Sequence, residues 1–305
     1  MTTRSIALFD LPLLYRYRDE ALALDGVRAL TRGNPLGALG LVNYLNPAGR
    51  IYTAIADGSG PPLVGGVTHA SGNTFAKLLF LAPLDHLEDS NLPVLLEDLA
   101  RQAGNWGALH ILAEIAETSK VFSTLRRSGF SVYAWQRMWD VSNIQPAGLL
   151  SKDWKRVRSV HHPAVQSLYY QIVPPLLHPI EPLSDQPQGL ICDGEVNCYV
   201  SIASGANGIV LTPLIHPEVS SVDDKLSSLL KCLPERHGRQ VYLCVRSYQA
   251  WLEPVLADLG ALATQRQAVM VKHLARLVKE EQTVPAVPSG VSVQPSRISR
   301  IDTKK

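Results

Sequence analysis

One phrase of this chain occurs twice, and its recurrence restricts the fold more than any other feature. Pro83-Leu84-Asp85-His86-Leu87-Glu88 returns as Pro213-Leu214-Ile215-His216-Pro217-Glu218, displaced by 130 residues. The register then settles at 131, where Leu99 meets Leu230, Gly107 meets Gly238, Leu125 meets Leu256, Gly129 meets Gly260 and Gln136 meets Gln267. A period this long is a whole domain, because solenoid repeats recur about every 20 to 50 residues. The chain therefore reads as two copies of one fold, each large enough to bury its own core within the 305 residues. A site in one copy should have a counterpart in the other.

Hydrophobic periodicity gives both copies the same order of elements. In the first, residues 5–9 read as a strand, 11–17 and 35–44 as helices, and 50–56, 62–69 and 74–81 as an antiparallel meander with turns at Asp57-Gly58 and Ser71-Gly72-Asn73. A helix over 92–103, a strand over 109–115, a helix over 119–127 closed by Gly129, and a strand over 131–140 complete it. The second copy repeats this: strand 155–160, helix 164–172, a Pro-rich loop over 174–187, strands 189–193, 195–204 and 208–213 with a turn at Asp193-Gly194, helix 222–233, strand 240–246, helix 248–259 and strand 263–274. The domains are expected at 1–147 and 150–278. Residues 281–305 have no period and carry Arg297, Arg300, Lys304 and Lys305 against Asp302, so they read as a disordered basic tail.

Composition excludes several functions. Lys plus Arg total 29 against 27 Asp plus Glu, and a net charge of +2 leaves no footprint for nucleic acid or an acidic membrane surface. About 18 consecutive apolar residues occur nowhere, so no membrane span is expected. Cys192, Cys198, Cys232 and Cys244 lack Cys-x-x-Cys spacing and read as reduced core thiols of a cytoplasmic protein. No metal site is expected. Asp85, His86, Glu88 and Asp89 could surround a cation, but the second copy has nothing equivalent.

The order strand, two helices, three-strand meander, helix, strand, helix and strand, read most easily in the first copy, resembles that of the GNAT superfamily of acyl-CoA-dependent N-acyltransferases. The closest local likeness is Ala113-Glu114-Ile115, then Val121-Phe122, then Leu125-Arg126-Arg127-Ser128-Gly129-Phe130, similar to that family's fifth strand, fourth helix and closing Gly-Phe. The resemblance implies an α/β fold of two tandem GNAT-like domains, each a mixed, mostly antiparallel sheet flanked by helices. It also implies that the fourth and fifth strands splay, and that the pantetheine arm of acetyl-CoA or another acyl-CoA lies in the gap like a strand. Phe80, Leu81 and Ala82 in one copy, and Val210, Leu211 and Thr212 in the other, would then line the cofactor arm.

The departures from that family are chemical. Its pyrophosphate loop, Gln/Arg-x-x-Gly-x-Gly/Ala, is missing from both copies, with no glycine between Asn73 and Ala103 or between Leu214 and His237. Asp85, Glu88 and Asp89 stand there in the first copy, with Asp89 or Ser90 a ready N-cap, and Glu218, Asp223 and Asp224 in the second. A carboxylate about 4 Å from a phosphate repels it by about 4 kcal/mol at an effective dielectric of 20. The family's general-acid tyrosine corresponds to Leu125 and Leu256, and the asparagine that often opens its fourth helix to Thr118 and Gln249.

Glu114, alone, reads as a surface carboxylate beside an arginine; by resemblance it is the best-placed general base, with Tyr133 as its catalytic companion. Gln136, or Arg246 with Gln267, would face the acceptor. Two functions follow as expectations. One is a divergent N-acyltransferase moving an acetyl group from acyl-CoA to an amine of unknown identity, borne by a small molecule or a protein. The other is a non-catalytic tandem module that binds a ligand or a partner protein.

Overall fold

The computed structural model describes residues 2–37, 51–58, 60–70, 72–88, 91–144, 154–192, 196–233, 236 and 238–274. Most of the expected helix over 35–44, the caps Asp89 and Ser90, the turn at Asp193-Gly194, the boundary near 147–150 and the tail over 281–305 lie outside these. The first half runs β1 (Thr2–Ser5), α1 (Leu11–Arg16), β2 (Leu22–Ala23), α2 (Gly26–Arg32), β3 (Ile51–Asp57), β4 (Leu63–His69), β5 (Phe75–Ala82), α3 (Leu92–Asn105), β6 (His110–Ala116), α4 (Val121–Arg127) and β7 (Ser131–Asp140). The second runs β8 (Trp154–Arg156), α5 (His162–Ile172), β9 (Gly189–Cys192), β10 (Cys198–Ser204), β11 (Gly208–Ile215), α6 (Val222–Cys232), β12 (Gln240–Arg246), α7 (Leu252–Asp258), β13 (Leu262–Ala263) and β14 (Gln267–His273).

The repeat is visible from the meander onward, down to Gly129 after α4 and Gly260 after α7, while β2 and α2 of the first half have no counterpart among the described elements of the second. Gly129 and Gly260 both hold a positive φ (90° and 83°) that a side chain would strain.

Where the sequence reading differs, a local bond explains most of it. The expected strand over 5–9 lies instead at Thr2–Ser5, because the Asp10 carboxylate takes Arg4 at 2.6 Å and the Ala7 N–H at 2.8 Å and turns the chain. The expected strand over 155–160 stops at Arg156 for the same kind of reason, with His161 Nδ1 accepting from the Arg158 N–H at 3.0 Å. The strand expected over 263–274 is broken between Ala263 and Gln267, where the Thr264 N–H turns to the Met138 carbonyl. Neither Asn91 nor Ser221 makes a side-chain capping bond; Pro93 removes one amide donor from the first turn of α3, and Ser221 enters α6 with φ 52°.

All strands form one sheet in the order β1-β3-β4-β5-β6-β14-β7-β12-β11-β10-β9-β8, with β2 beside β5 and β13 beside β7. Only β5 with β6 and β11 with β12 run parallel among the described strands, so the sheet is mixed and mostly antiparallel. The halves trade their last strands. β14 pairs with β6 of the first half, and β7 pairs with β12 of the second. At the crossing β14 and β7 pair with each other, and the repeated glutamines Gln136 and Gln267 stand opposite in register.

Strand alternation divides the core between two faces. On one face Ile111, Ala113 and Ile115 pack with Leu95, Leu99 and Leu125 of α3 and α4, and Leu211, Leu243 and Val245 pack with Leu229, Leu252 and Leu256 of α6 and α7. On the other, Leu79 packs with Leu14 of α1, Val210 with Val27 of α2, and Leu112 and Leu214 with Val165 and Leu168 of α5. The gap between α2 and α5 on this second face is where the cavity lies.

Candidate functional site

β5 and β6 stay paired only from Phe75–Lys77 to His110–Leu112 and then part. The opening is filled by the chain itself. Leu22 and Ala23 pair with Leu81 and Phe80, the Leu24 N–H donates to the Leu79 carbonyl at 2.9 Å, and the Glu114 N–H donates to the Leu24 carbonyl at 2.8 Å. Residues 22–24 thus bridge both lips of the gap as a strand. Phe80, Leu81 and Ala82, expected along a cofactor arm, are fully buried, and Leu81 and Phe80 are the partners of this inserted segment.

The second gap opens where β11 and β12 part after Leu211 and Leu243. Here one side chain spans the lip. Gln249 Oε1 accepts from the Ile215 N–H and Gln249 Nε2 donates to the Pro213 carbonyl, each at 3.4 Å, so a fully buried amide imitates a strand residue. Val210 packs under α2, Leu211 lies in the core below α6 and α7, and Thr212 is partly buried and reaches the cavity.

Between the two gaps lies a cavity of about 530 Å³. Its floor is the sheet, with Phe75, Lys77, Leu112, Glu114, Tyr133, Arg246 and Thr212; its cover is Leu24 to Val27 on one side and the Pro-rich stretch from Glu181 to Gln188 on the other. Glu114 is not the exposed carboxylate beside an arginine that its type suggests. It is buried, at 8% exposure, and its Oε2 accepts from the Gly26 N–H at 2.8 Å at the start of α2. A Cβ at position 26 would come within 2.8 Å of the same oxygen, so a larger residue there would have to displace the carboxylate. Asp25 caps α2 through the Arg28 N–H at 3.2 Å and meets Lys77 Nζ at 3.4 Å. Burial presses the Lys77 pKa down, but Asp25 and Glu114 outweigh it and hold the ammonium above its ordinary value.

The opposite wall is already satisfied. Arg246 bonds to Glu181 and to Gln136, Tyr133 donates to Glu181 at 2.7 Å, and Tyr169 donates to the Glu181 carbonyl at 2.7 Å. Burial opposes the charge of Arg246, yet Glu181 and its other neighbours raise its pKa well above the ordinary value. Burial, then Glu181, raises that of Tyr133. Tyr133 therefore keeps its proton and is a poor acid. Gln136 Nε2 donates to Gln267 Oε1 at 2.8 Å; the structure brings both beside Arg246, as a brace under the cavity and not on its wall.

Asp25, Gly26, Lys77, Glu181 and the bridging role of Gln249 were missed in the sequence. Asp25 before Val27 and Leu30 was a legible helix start. Among the described residues no group of three or more potential metal ligands occurs.

No protein-family profile matches the chain, and no curated protein sequence matches it. Solved structures do. A GCN5-related N-acetyltransferase from Sphaerobacter thermophilus is similar at 12% identity, covering 89% of this chain and 95% of that one with a TM-score of 0.52. A tandem GNAT protein from the clavulanic acid biosynthesis pathway is similar at 12% identity over 90% and 99%, TM-score 0.52. A putative acetyltransferase from Pyrococcus horikoshii is similar at 8% identity over 90% and 89%, TM-score 0.51. These likenesses establish the fold: the chain is a tandem GNAT fold, two GNAT-like domains joined through one sheet.

Proposed function

We propose that this chain is a ligand-binding protein on a tandem GNAT fold, with the central cavity as its site and both acyl-donor gaps closed by its own groups. The observation that carries this reading is the segment over residues 22–24. It satisfies the backbone of β5 and β6 where an acyl-pantetheine arm would otherwise add as a strand. The lost glycine loop agrees with it, as do Asp223 and Asp224 in the first turn of α6, which take the dipole that a pyrophosphate would need. Calorimetric titration with acetyl-CoA tests the reading. No binding at 100 μM is the expected result; micromolar binding that depends on the pyrophosphate refutes it.

A second reading, acyl transfer from acyl-CoA to an amine, is favoured by one observation. The second gap is held by a side chain whose two bonds sit near the long limit of hydrogen-bond geometry, and a rotation of Gln249 would clear it. The acyl arm would then lie along Val210, Leu211 and Thr212. Glu114 would take a proton from the amine as the nitrogen attacks the thioester carbon, and the thiolate would leave and be protonated by solvent. Tyr133 would orient Glu181 without donating its own proton. A turnover assay with acetyl-CoA and a panel of amines tests this reading.

A further inference from the structure

We infer that His110 and His273 form a two-histidine seat for a divalent transition-metal ion, Ni²⁺ or Cu²⁺, across the traded strands. His273 stands opposite His110 at the end of the β6–β14 ladder. One step beyond, the Leu274 N–H donates to the Leu109 carbonyl at 2.9 Å, which makes 109 and 274 a hydrogen-bonded pair. An antiparallel ladder alternates, so 110 and 273 are a non-hydrogen-bonded pair, the kind at which facing side chains come closest. The Glu117 N–H, donating to the Arg266 carbonyl at 3.1 Å, gives the same phase from the other end of the ladder. The two rings meet edge to face with centroids 4.8 Å apart, and their Nδ1 atoms are 3.0 Å apart. One of these nitrogens donates and the other accepts, so one lone pair already points into the space between them. Moving the donor's proton to its own Nε2 frees the second lone pair with no change of charge. Among the described residues neither ring makes another hydrogen bond or an ion pair, so the bond between them is all that a metal has to displace.

Distance then selects the metal. Two nitrogens 3.0 Å apart, each about 2.1 Å from one ion, subtend about 90° at it, whereas a tetrahedral ion needs them about 3.4 Å apart. Right angles belong to the tetragonal sites of Cu²⁺ and Ni²⁺, both of which take imidazole, and not to the tetrahedron of Zn²⁺ or the all-oxygen shell of Mg²⁺. Water supplies the remaining ligands. A cavity of about 860 Å³ opens beside His110, and Asn73, Ser184, Asp185 and Gln186 on its wall offer polar groups to hold those waters. His110 belongs to the first half and His273 to the second, so the ion ties one half to the other and stabilises the folded chain.

The probe is Ni²⁺, titrated into the full chain by calorimetry and followed by thermal unfolding, with Zn²⁺ and Mg²⁺ for comparison. Ni²⁺ should bind more tightly than Zn²⁺, and Mg²⁺ should not bind at millimolar concentration. His110→Asn and His273→Asn should each weaken Ni²⁺ binding by about 10-fold or more while unfolding, without metal, within a few degrees of the parent chain. Chelation needs both rings, so the double variant should lose little beyond either single one. Ni²⁺ should also raise the unfolding midpoint of the parent and leave that of each variant unmoved. His273 is exposed, so His273→Asn decides the matter even if His110→Asn fails to fold. Unchanged Ni²⁺ affinity in His273→Asn, Zn²⁺ or Mg²⁺ binding more tightly than Ni²⁺, or no Ni²⁺ binding at millimolar concentration would each overturn the inference.

Discussion

The two gaps of this molecule occupy equivalent places in a repeated fold, and they are closed with different materials. The first is closed by backbone: residues 22–24 hydrogen bond to β5 on one side and to β6 on the other, with Leu24 buried among the core residues below. The second is covered along its β11 edge by the side-chain amide of Gln249. A backbone ladder leaves only when its segment unfolds, whereas a side chain leaves by changing rotamer. One duplication has thus yielded a gap that is part of the structure and a gap that is only covered.

The largest effect that separates them is on stability. Leu24→Ala should cost about 2 to 5 kcal/mol, the usual range for a fully buried leucine, because it loosens the inserted segment and the core together. Gln249→Ala, which strands one buried N–H and one carbonyl, should cost about 1 to 3 kcal/mol. Urea unfolding of both variants measures the difference, and equal losses would break the comparison. If the second gap serves acyl transfer, Glu114→Gln should lower the rate by about 10²-fold or more, and Gln249→Ala should raise acetyl-CoA affinity. Leu24→Ala giving the gain in affinity instead would move the working gap to the first half.

A smaller effect sharpens the anchoring of the inserted segment. Gly26→Ala pushes a methyl against the Glu114 carboxylate and should destabilise by about 1 to 3 kcal/mol. A double-mutant cycle with Glu114→Ala should recover at least about 0.5 kcal/mol of that, since the clash loses its partner. Additive losses would mean that Gly26 matters for another reason.

The smallest effect is alkaline and belongs to the second half. Burial pushes Tyr169 and Tyr199 up to about 12 each. Their neutral forms are therefore favoured in the folded chain. That stabilisation is complete below the ordinary tyrosine value of about 10 and is lost as pH rises from there through about 12. Replacing both by Phe should flatten the fall in stability over that window; an unchanged slope would place the alkaline transition elsewhere, with Tyr52 of the first half, also raised to about 12, the next residue to replace.

Much of this fold could be read from residues because it is local or duplicated. β7 falls on residues 131–140 as expected, α3 and α4 lie where the apolar period put them, and the paired glycines close paired helices. The exchange of strands could not be read, because β14 meets β6 across more than 150 residues and no sequence window contains both. One trace of it was present all the same. Gln136 and Gln267 were the same residue of each copy, and a residue that meets its own counterpart marks the axis relating the halves. The site followed a similar pattern. Glu114 stood out by type and place, but its partners did not: β2 is two residues long, α2 seven, and neither is long enough to show a period. The closing of the second gap depends on where a single glutamine points, which backbone pairing decides and composition does not.

The traded strands also set an order on how the protein is made. β6 leaves the ribosome about 150 residues ahead of β14, the strand that covers its edge. At roughly 5 to 20 residues per second, that edge waits on the order of 8 to 30 s with its N–H and C=O groups unpaired. An exposed edge invites pairing with the wrong strand, including the same edge of another nascent chain. The first half is thus born as a half-finished sheet, and its completion depends on a segment from the far end of the second.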